Sequence, residues 1–190
     1  MCNKLLSLAL AVALAAFATS DPANAVRSKL EMIQTGRAKP GSVFTFSSNE
    51  LNAYARSELP TIVPEGVREP HLELGPGAAT GSAVVDFLKL RHGQGESTPW
   101  LISKLIEGEK LVRVSARIQS ANGRATVYLQ RVEISGLAVS GSTLDFLIRT
   151  FFLPLYPNAK INQPFELQDD VERIEVAPVQ ARVVIRSRHK

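Results

Sequence analysis

The stretch from Leu111 to Pro157 constrains the fold most, because a long hairpin there is followed by a very apolar segment. Apolar and polar residues alternate from Val112 to Gln119, which is typical of a strand with one buried face. Asn122-Gly123 then predicts a type I′ turn, since both central positions of that turn need positive φ. The sequence therefore predicts two long antiparallel strands.

The return strand of this hairpin contains a shift in its pattern. Its apolar positions move by one residue between Leu129 and Val132. One extra residue in a strand produces such a shift, so we predict a β-bulge near Gln130-Arg131 that bends the sheet.

After the hairpin, apolar residues dominate from Leu144 to Leu155. Read as a helix, this segment is apolar around most of its circumference and cannot face water. We therefore predict an α+β fold, with a strongly curved antiparallel β-sheet wrapped around a long apolar α-helix.

The rest of the chain predicts shorter elements. Helices are expected from Val26 to Thr35 and from Trp100 to Ile106, and Ser47 and Glu50 fit a capping box at the start of another. A strand pair is expected at 71–74 and 83–88, joined by a glycine-rich segment from Gly75 to Gly81.

The N-terminus has the pattern of an export signal. Lys4 precedes an apolar run of about thirteen residues, and small residues surround a cleavage site after Ala25, with Ala18 as the second choice. We predict a signal peptide over residues 1–25 and one domain over residues 26–190, in the periplasm or secreted. An uncleaved signal that stays as a membrane anchor is the alternative. Cys2 is the only cysteine, so the mature chain has no disulfide or thiolate site.

The charge and the polar residues argue against several functions. The net charge of +4 suits anionic phospholipid head groups better than nucleic acid, although a solvated basic surface without a partner is the alternative. The histidines His71, His92 and His189 have no metal-ligand spacing, and the sequence contains no nucleophile elbow. We therefore predict no metal, no cofactor and no enzymatic activity, with a hydrolase site assembled from His71 and Asp86 as a remaining alternative.

Apolar side chains are the candidate binding residues. The predicted groove for an acyl chain is lined by Leu144, Leu147, Ile148, Phe151, Phe152, Leu155 and Tyr54. The candidate head-group ligands are Arg113, Arg117 and Arg131. The alternatives are that the first set is ordinary core and that the second is exposed strand surface.

Three short stretches resemble a known family. They are the segment from Phe46 to Ala53, the segment from Val132 to Gly136 that leads into the apolar stretch, and the segment from Pro164 to Leu167. Together they are similar to the LmeA-type and YceB-type exported bacterial envelope proteins of the tubular lipid-binding (TULIP) superfamily. The resemblance spans roughly residues 26 to 186. It implies a twisted sheet rolled around a long helix with a seam for acyl chains, and it carries over no catalytic residue.

These observations lead to one predicted function and one alternative. The predicted function is the binding or transfer of phospholipid or another acyl-chain lipid by a monomer that contacts membranes peripherally and binds no nucleic acid. The alternative is a non-catalytic envelope scaffold or assembly factor that uses its apolar helix as a surface for a protein partner.

Overall fold

The structure is a computed structural model that describes residues 21–62, 65–90, 100–168 and 170–187. Residues 1–20 of the predicted signal peptide, His92 and His189 lie outside these ranges.

The described chain contains short helices and nine strands. The helices are α1 (Pro22–Gln34), α2 (Ser48–Ile62), α3 (Trp100–Ile106) and α4 (Gly141–Leu147), and α4 continues into a π-helical turn (Ile148–Phe152). The strands are β1 (Val43–Ser47), β2 (Val67–Gly75), β3 (Ala78–Asp86), β4 (Glu109–Ala121), β5 (Arg124–Ile134), β6 (Leu137–Val139), β7 (Pro164–Glu166), β8 (Val171–Ala177) and β9 (Gln180–Ile185).

The strands form two antiparallel sheets. The smaller sheet has the order β1-β9-β8, and the larger has the order β2-β3-β4-β5-β6, with β7 paired to the first residues of β5. The β8 strand lies across the turn end of the larger sheet, where the Ser120 hydroxyl donates to the carbonyl of Ile174 at 2.6 Å and accepts from its N–H at 2.7 Å. The backbone N–H groups of Gly77 and Gly123 donate to other carbonyls of β8. The two sheets are thus joined by hydrogen bonds at the hairpin turns.

The local predictions for the long hairpin are confirmed. Asn122 and Gly123 have φ values of 53° and 74°, as a type I′ turn requires. Ser115 pairs with Arg131 and Ala116 pairs with Leu129, so Gln130 is the extra residue of a β-bulge.

The predicted capping box is also present. The Ser47 N–H donates to Glu50 Oε2 at 2.7 Å, and the Glu50 N–H donates to Ser47 Oγ at 3.2 Å. This reciprocal pair satisfies two N–H groups at the start of α2.

The fold class predicted from the sequence is wrong. The part of the chain that the structure describes is mostly antiparallel sheet with short helices; it contains no long apolar helix, and the sheet is not curled. The bulge is a local irregularity, and β8 and β9 form a separate sheet in which β9 pairs with β1, so the described strands do not make one continuous surface around a helix.

The apolar segment stops short for identifiable reasons. The seven residues of α4 are followed by a π-helical turn in which the Leu153 N–H donates to the Ile148 carbonyl at 2.9 Å. Pro154 follows, and because proline has no backbone N–H it cannot continue the hydrogen bonding of the helix. The widened turn places Phe151 in the core and leaves Phe152 37% exposed. The apolar residues therefore belong to the short helix α4 and the π-helical turn, and not to a long central helix.

The main core lies at one end of the larger sheet, where α3, α4 and the π-helical turn cover it. Its buried members are Val85, Phe87, Leu90, Ile102, Ile106, Ile134, Val139, Leu147 and Phe151. Because this cluster occupies only one end of the sheet, the remainder of the same sheet face lies outside the main core.

Candidate functional site

The larger sheet has one mainly apolar and one mainly polar face, as the strand register shows, with Lys110 on the apolar face and Leu111 on the polar face as exceptions near the start of β4. Paired residues share a face and neighbours in a strand alternate. The apolar face contains Leu72, Leu74, Ala79, Gly81, Ala83, Val85, Val112, Val114, Ala116, Ile118, Val127, Leu129, Val132 and Ile134.

The central part of this face is open. Val114 is 37% exposed although it lies in the middle of the sheet, and its neighbours Ala116 and Leu129 are only half-buried. A Cβ atom built on Gly81, which pairs with Val114, has no heavy atom within 4 Å outside its chain neighbours. We call the residues Ala79, Gly81, Val114, Ala116, Ile118, Val127 and Leu129 the open apolar face.

A hollow of about 400 Å³ adjoins this face at the β5 edge. It is lined by Val127, Phe152, Asn158, Ala159, Lys160, Ile161 and Phe165, and we call it the Phe152 hollow. Val127 belongs to both surfaces, so apolar contact continues from one to the other. Among the described residues that line the Phe152 hollow, Lys160 is the only basic one, and its side chain is exposed.

Asn162 fixes the loop that forms one wall of this hollow. Its N–H donates to the Val127 carbonyl at 3.0 Å, and its Oδ1 accepts from the Leu129 N–H at 2.8 Å. Asn162 has a φ of 59°, a left-handed conformation that asparagine tolerates better than most residues. The loop thus continues the hydrogen bonding of β7 along the edge of β5.

A second hollow of about 390 Å³ lies between α3 and the π-helical turn. It is lined by Phe87, Leu88, Ser103, Lys104, Ile106, Glu107 and Phe151. Lys104 and Glu107 form an ion pair with an N–O distance of 3.5 Å, so the lysine already has a carboxylate partner. This hollow also lies in the core region and not beside the open apolar face.

The structure separates the residues predicted to line the groove. Leu147 and Phe151 are buried in the core, where the rings of Phe87 and Phe151 meet edge to face with centroids 5.1 Å apart. The half-buried members are Leu144, Ile148, Leu155 and Tyr54, and Tyr54 lies apart from the others on α2. Of the predicted groove residues, only Phe152 lines the Phe152 hollow. The centroid of its ring lies 5.2 Å from that of the Tyr156 ring.

The three predicted head-group arginines lie on the polar face. Arg113 pairs with Glu133, Arg117 pairs with Tyr128, and Arg131 pairs with Ser115. The guanidinium of Arg131 forms an ion pair with Glu133 at 2.7 Å. These three side chains are therefore on the opposite side of the sheet from the open apolar face.

The possible hydrolase residues are not brought together. His71 pairs with Ser82, which is four residues along β3 from Asp86, or about 13 Å at the rise of a strand. Asp86 instead accepts hydrogen bonds from the N–H groups of Leu88 and Lys89. Within the ranges that the structure describes, no three His, Cys, Asp or Glu side chains group to hold a metal ion.

Sequence reasoning missed the main residues of this site. The glycine-rich pattern predicts a connecting segment at Gly81, but β3 begins at Ala78 and includes Gly81. The alternation of Ala79, Gly81, Ala83 and Val85 carried a period-two signal that could have placed it in a strand. Nothing in the local sequence indicates that Lys160 lies beside Val127, because the two are distant in the chain.

No protein-family model matches the chain, and no curated protein matches it. Among the described residues, no helix has the length and apolarity needed to span a membrane.

Proposed function

We propose that this protein is a non-enzymatic lipid-binding protein of the bacterial envelope, which holds an acyl chain against the open apolar face. The observation that carries the proposal is the open centre of that face, where Gly81 and Val114 have space above them. A face of aliphatic and small side chains offers no hydrogen bonds, so the ligand that suits it is a hydrocarbon chain.

The expected affinity follows from the hydrophobic effect. Burying a methylene group is worth about 0.8 kcal/mol, so a sixteen-carbon chain gains about 13 kcal/mol gross. Loss of translational freedom and ordering of the chain offset several kcal/mol of this gain. A net value of about −8 kcal/mol corresponds to a Kd of about 1 μM, and we expect affinities in that range.

The export of the protein is part of the proposal and is supported by the N-terminal sequence. A basic residue, an apolar run and small residues in this order are typical of a secretory signal. A protein that handles lipids outside the cytoplasm needs such a signal.

Native mass spectrometry of the protein purified from its own host tests the proposal. We expect a population of protein whose mass exceeds that of the chain by one bound lipid. Organic extraction should remove this population, and added fatty acid should restore it. Protein that is lipid-free as purified, and that takes up neither fatty acid nor phospholipid in titration, would contradict it.

A second candidate is a scaffold that binds a protein partner through the same face. The observation that favours it is that the sheet is not curled. A shallow sheet face fits the flat surface of a protein partner better than a rolled sheet face would. A lipid-free protein that forms a stoichiometric complex with one defined partner, lost when a charge is placed at Gly81, would favour this candidate.

A further inference from the structure

The Phe152 hollow combines apolar walls with one cation at its edge. Phe152, Ile161 and Phe165 contribute apolar surface, and Lys160 is exposed at the same site. Lys160 forms no ion pair with any residue in the described ranges. In this it differs from Lys104 of the second hollow, which is paired with Glu107.

The position of Lys160 is restricted by its neighbours in the chain. The Ala159 N–H donates to the Tyr156 carbonyl at 3.0 Å, and Asn162 is hydrogen bonded to β5 on the other side. The backbone that carries the lysine is therefore held at both ends, close to the edge of the open apolar face.

We propose that the Phe152 hollow binds the head-proximal part of a single-chain anionic lipid, with Lys160 pairing with its carboxylate or phosphate. The inference rests on the proposed lipid binding and adds the chemical class and the orientation of the ligand. The chain leaves the hollow across Val127 and continues over the open apolar face. One hollow of about 400 Å³ beside one lysine suits one chain and one anionic group.

The two sources of such an anion are a free fatty acid and a lysophospholipid with a terminal phosphate. Both present an anionic oxygen on one acyl chain, and a lysine ammonium binds either as a point charge. Whichever of the two anionic lipids binds more tightly identifies the anionic group, carboxylate or phosphate. Tighter binding of either anionic lipid than of a neutral lipid supports the inference.

The test compares Lys160→Glu with Lys39→Glu, which makes the same change of charge in an exposed turn away from the hollow. Binding of oleate, of oleoyl lysophosphatidate, of two-chain phosphatidic acid and of neutral monoolein is measured by displacement of a fluorescent fatty acid. We expect the wild type and Lys39→Glu to bind at least one of the anionic lipids about tenfold more tightly than monoolein. In Lys160→Glu this preference is lost, while affinity for monoolein stays within about twofold of that of the wild type. Thermal melts confirm that both variants fold.

The outcomes separate this inference from the proposed function. Equal binding of monoolein and both anionic lipids by the wild type, or an unchanged preference in Lys160→Glu, overturns the inference and leaves lipid binding intact. Binding of two-chain phosphatidic acid as tightly as the best single-chain lipid overturns the single-chain assignment. Failure of all these lipids to bind overturns the proposed function as well.

Discussion

The side chain of Asn52 makes both backbone hydrogen bonds of Leu72. Asn52 Nδ2 donates to the Leu72 carbonyl at 2.8 Å, and Asn52 Oδ1 accepts from the Leu72 N–H at 2.7 Å. Leu72 lies on β2, the edge strand of the larger sheet, and Asn52 is 6% exposed on α2. The carboxamide therefore acts as the missing partner strand, and it covers an edge that would otherwise attract other chains.

Replacing Asn52 with Ala leaves two shielded backbone groups without partners. We expect a loss of about 2–4 kcal/mol in the free energy of unfolding, measured by urea titration. The matched control is Asn162→Gly on the opposite edge, where the side chain is exposed and supplies one bond and glycine keeps the left-handed backbone, so its loss is expected to be about 1 kcal/mol. Equal losses in the two variants would show that the Asn52 contact is not the main support of β2.

Val179 has a φ of 63° in the β8–β9 turn, a left-handed conformation that β-branched residues rarely adopt. Its side chain is 71% exposed, so little packing is lost on substitution. We expect Val179→Asn to raise the free energy of unfolding by about 1 kcal/mol, because asparagine tolerates this conformation. Val43→Asn is the control, since Val43 is also exposed but lies within β1; no gain is expected there. A loss of stability in Val179→Asn would contradict the assignment of strain.

Glu50 is predicted to make stability depend on pH. Partial burial alone would raise the pKa of Glu50, but hydrogen bonds from Lys29 and Ser47 outweigh it, so the pKa lies below its ordinary value of 4.5. The Lys29 Nζ atom lies 2.6 Å from Glu50 Oε1. Since the pKa is lower in the folded chain, the carboxylate stabilises the fold above about pH 4.5, and this contribution is lost as the pH falls through the folded pKa.

We therefore expect Glu50→Gln to be less stable than the wild type at pH 7 and to approach it as the pH falls toward 3. Thermal unfolding between pH 3 and pH 7 measures the difference. Glu166→Gln, at a carboxylate that is 82% exposed, is the control and should show little difference at any pH. A Glu50→Gln difference that stays constant across this range would argue against a linked proton.

The helix α1 begins four residues before the predicted start at Val26, and this affects the expected processing of the chain. Asp21 Oδ1 accepts from the Ala23 N–H at 3.1 Å, and Ala23 is 2% exposed. Cleavage after Ala25 would remove this cap and a buried residue, which costs about 1 kcal/mol for the cap alone. We expect the mature protein to begin after Ala18, as N-terminal sequencing of exported protein would show. A mature chain that begins at Val26 would contradict this prediction.

Local features of the fold were predictable, whereas its long-range arrangement was not. The turn at Asn122-Gly123, the capping box at Ser47 and the bulge at Gln130 depend on neighbouring residues, and the sequence contains those neighbours. The pairing of Val43 with Val184 joins opposite ends of the chain, and nothing in either segment specifies it. The sequence therefore did not reveal that the strands divide into two sheets.

The candidate site was the least predictable part. Apolar composition alone suggested Leu147 and Phe151, and both side chains are used in the core. Gly81 has no side chain to mark it, and its exposure depends on where the helices stop covering the sheet. Pro154 was the local sign that the apolar segment ends early.

The most direct test of lipid binding places a charge on the open apolar face. Gly81→Asp projects a carboxylate into the space above the face, whereas Ser82→Asp places the same group on the polar face beside Arg113. The two variants are compared with the wild type in titration with a fluorescent fatty acid. We expect both to fold, Ser82→Asp to bind as the wild type does, and Gly81→Asp to lose at least tenfold in affinity. Equal binding by the two variants would contradict the account.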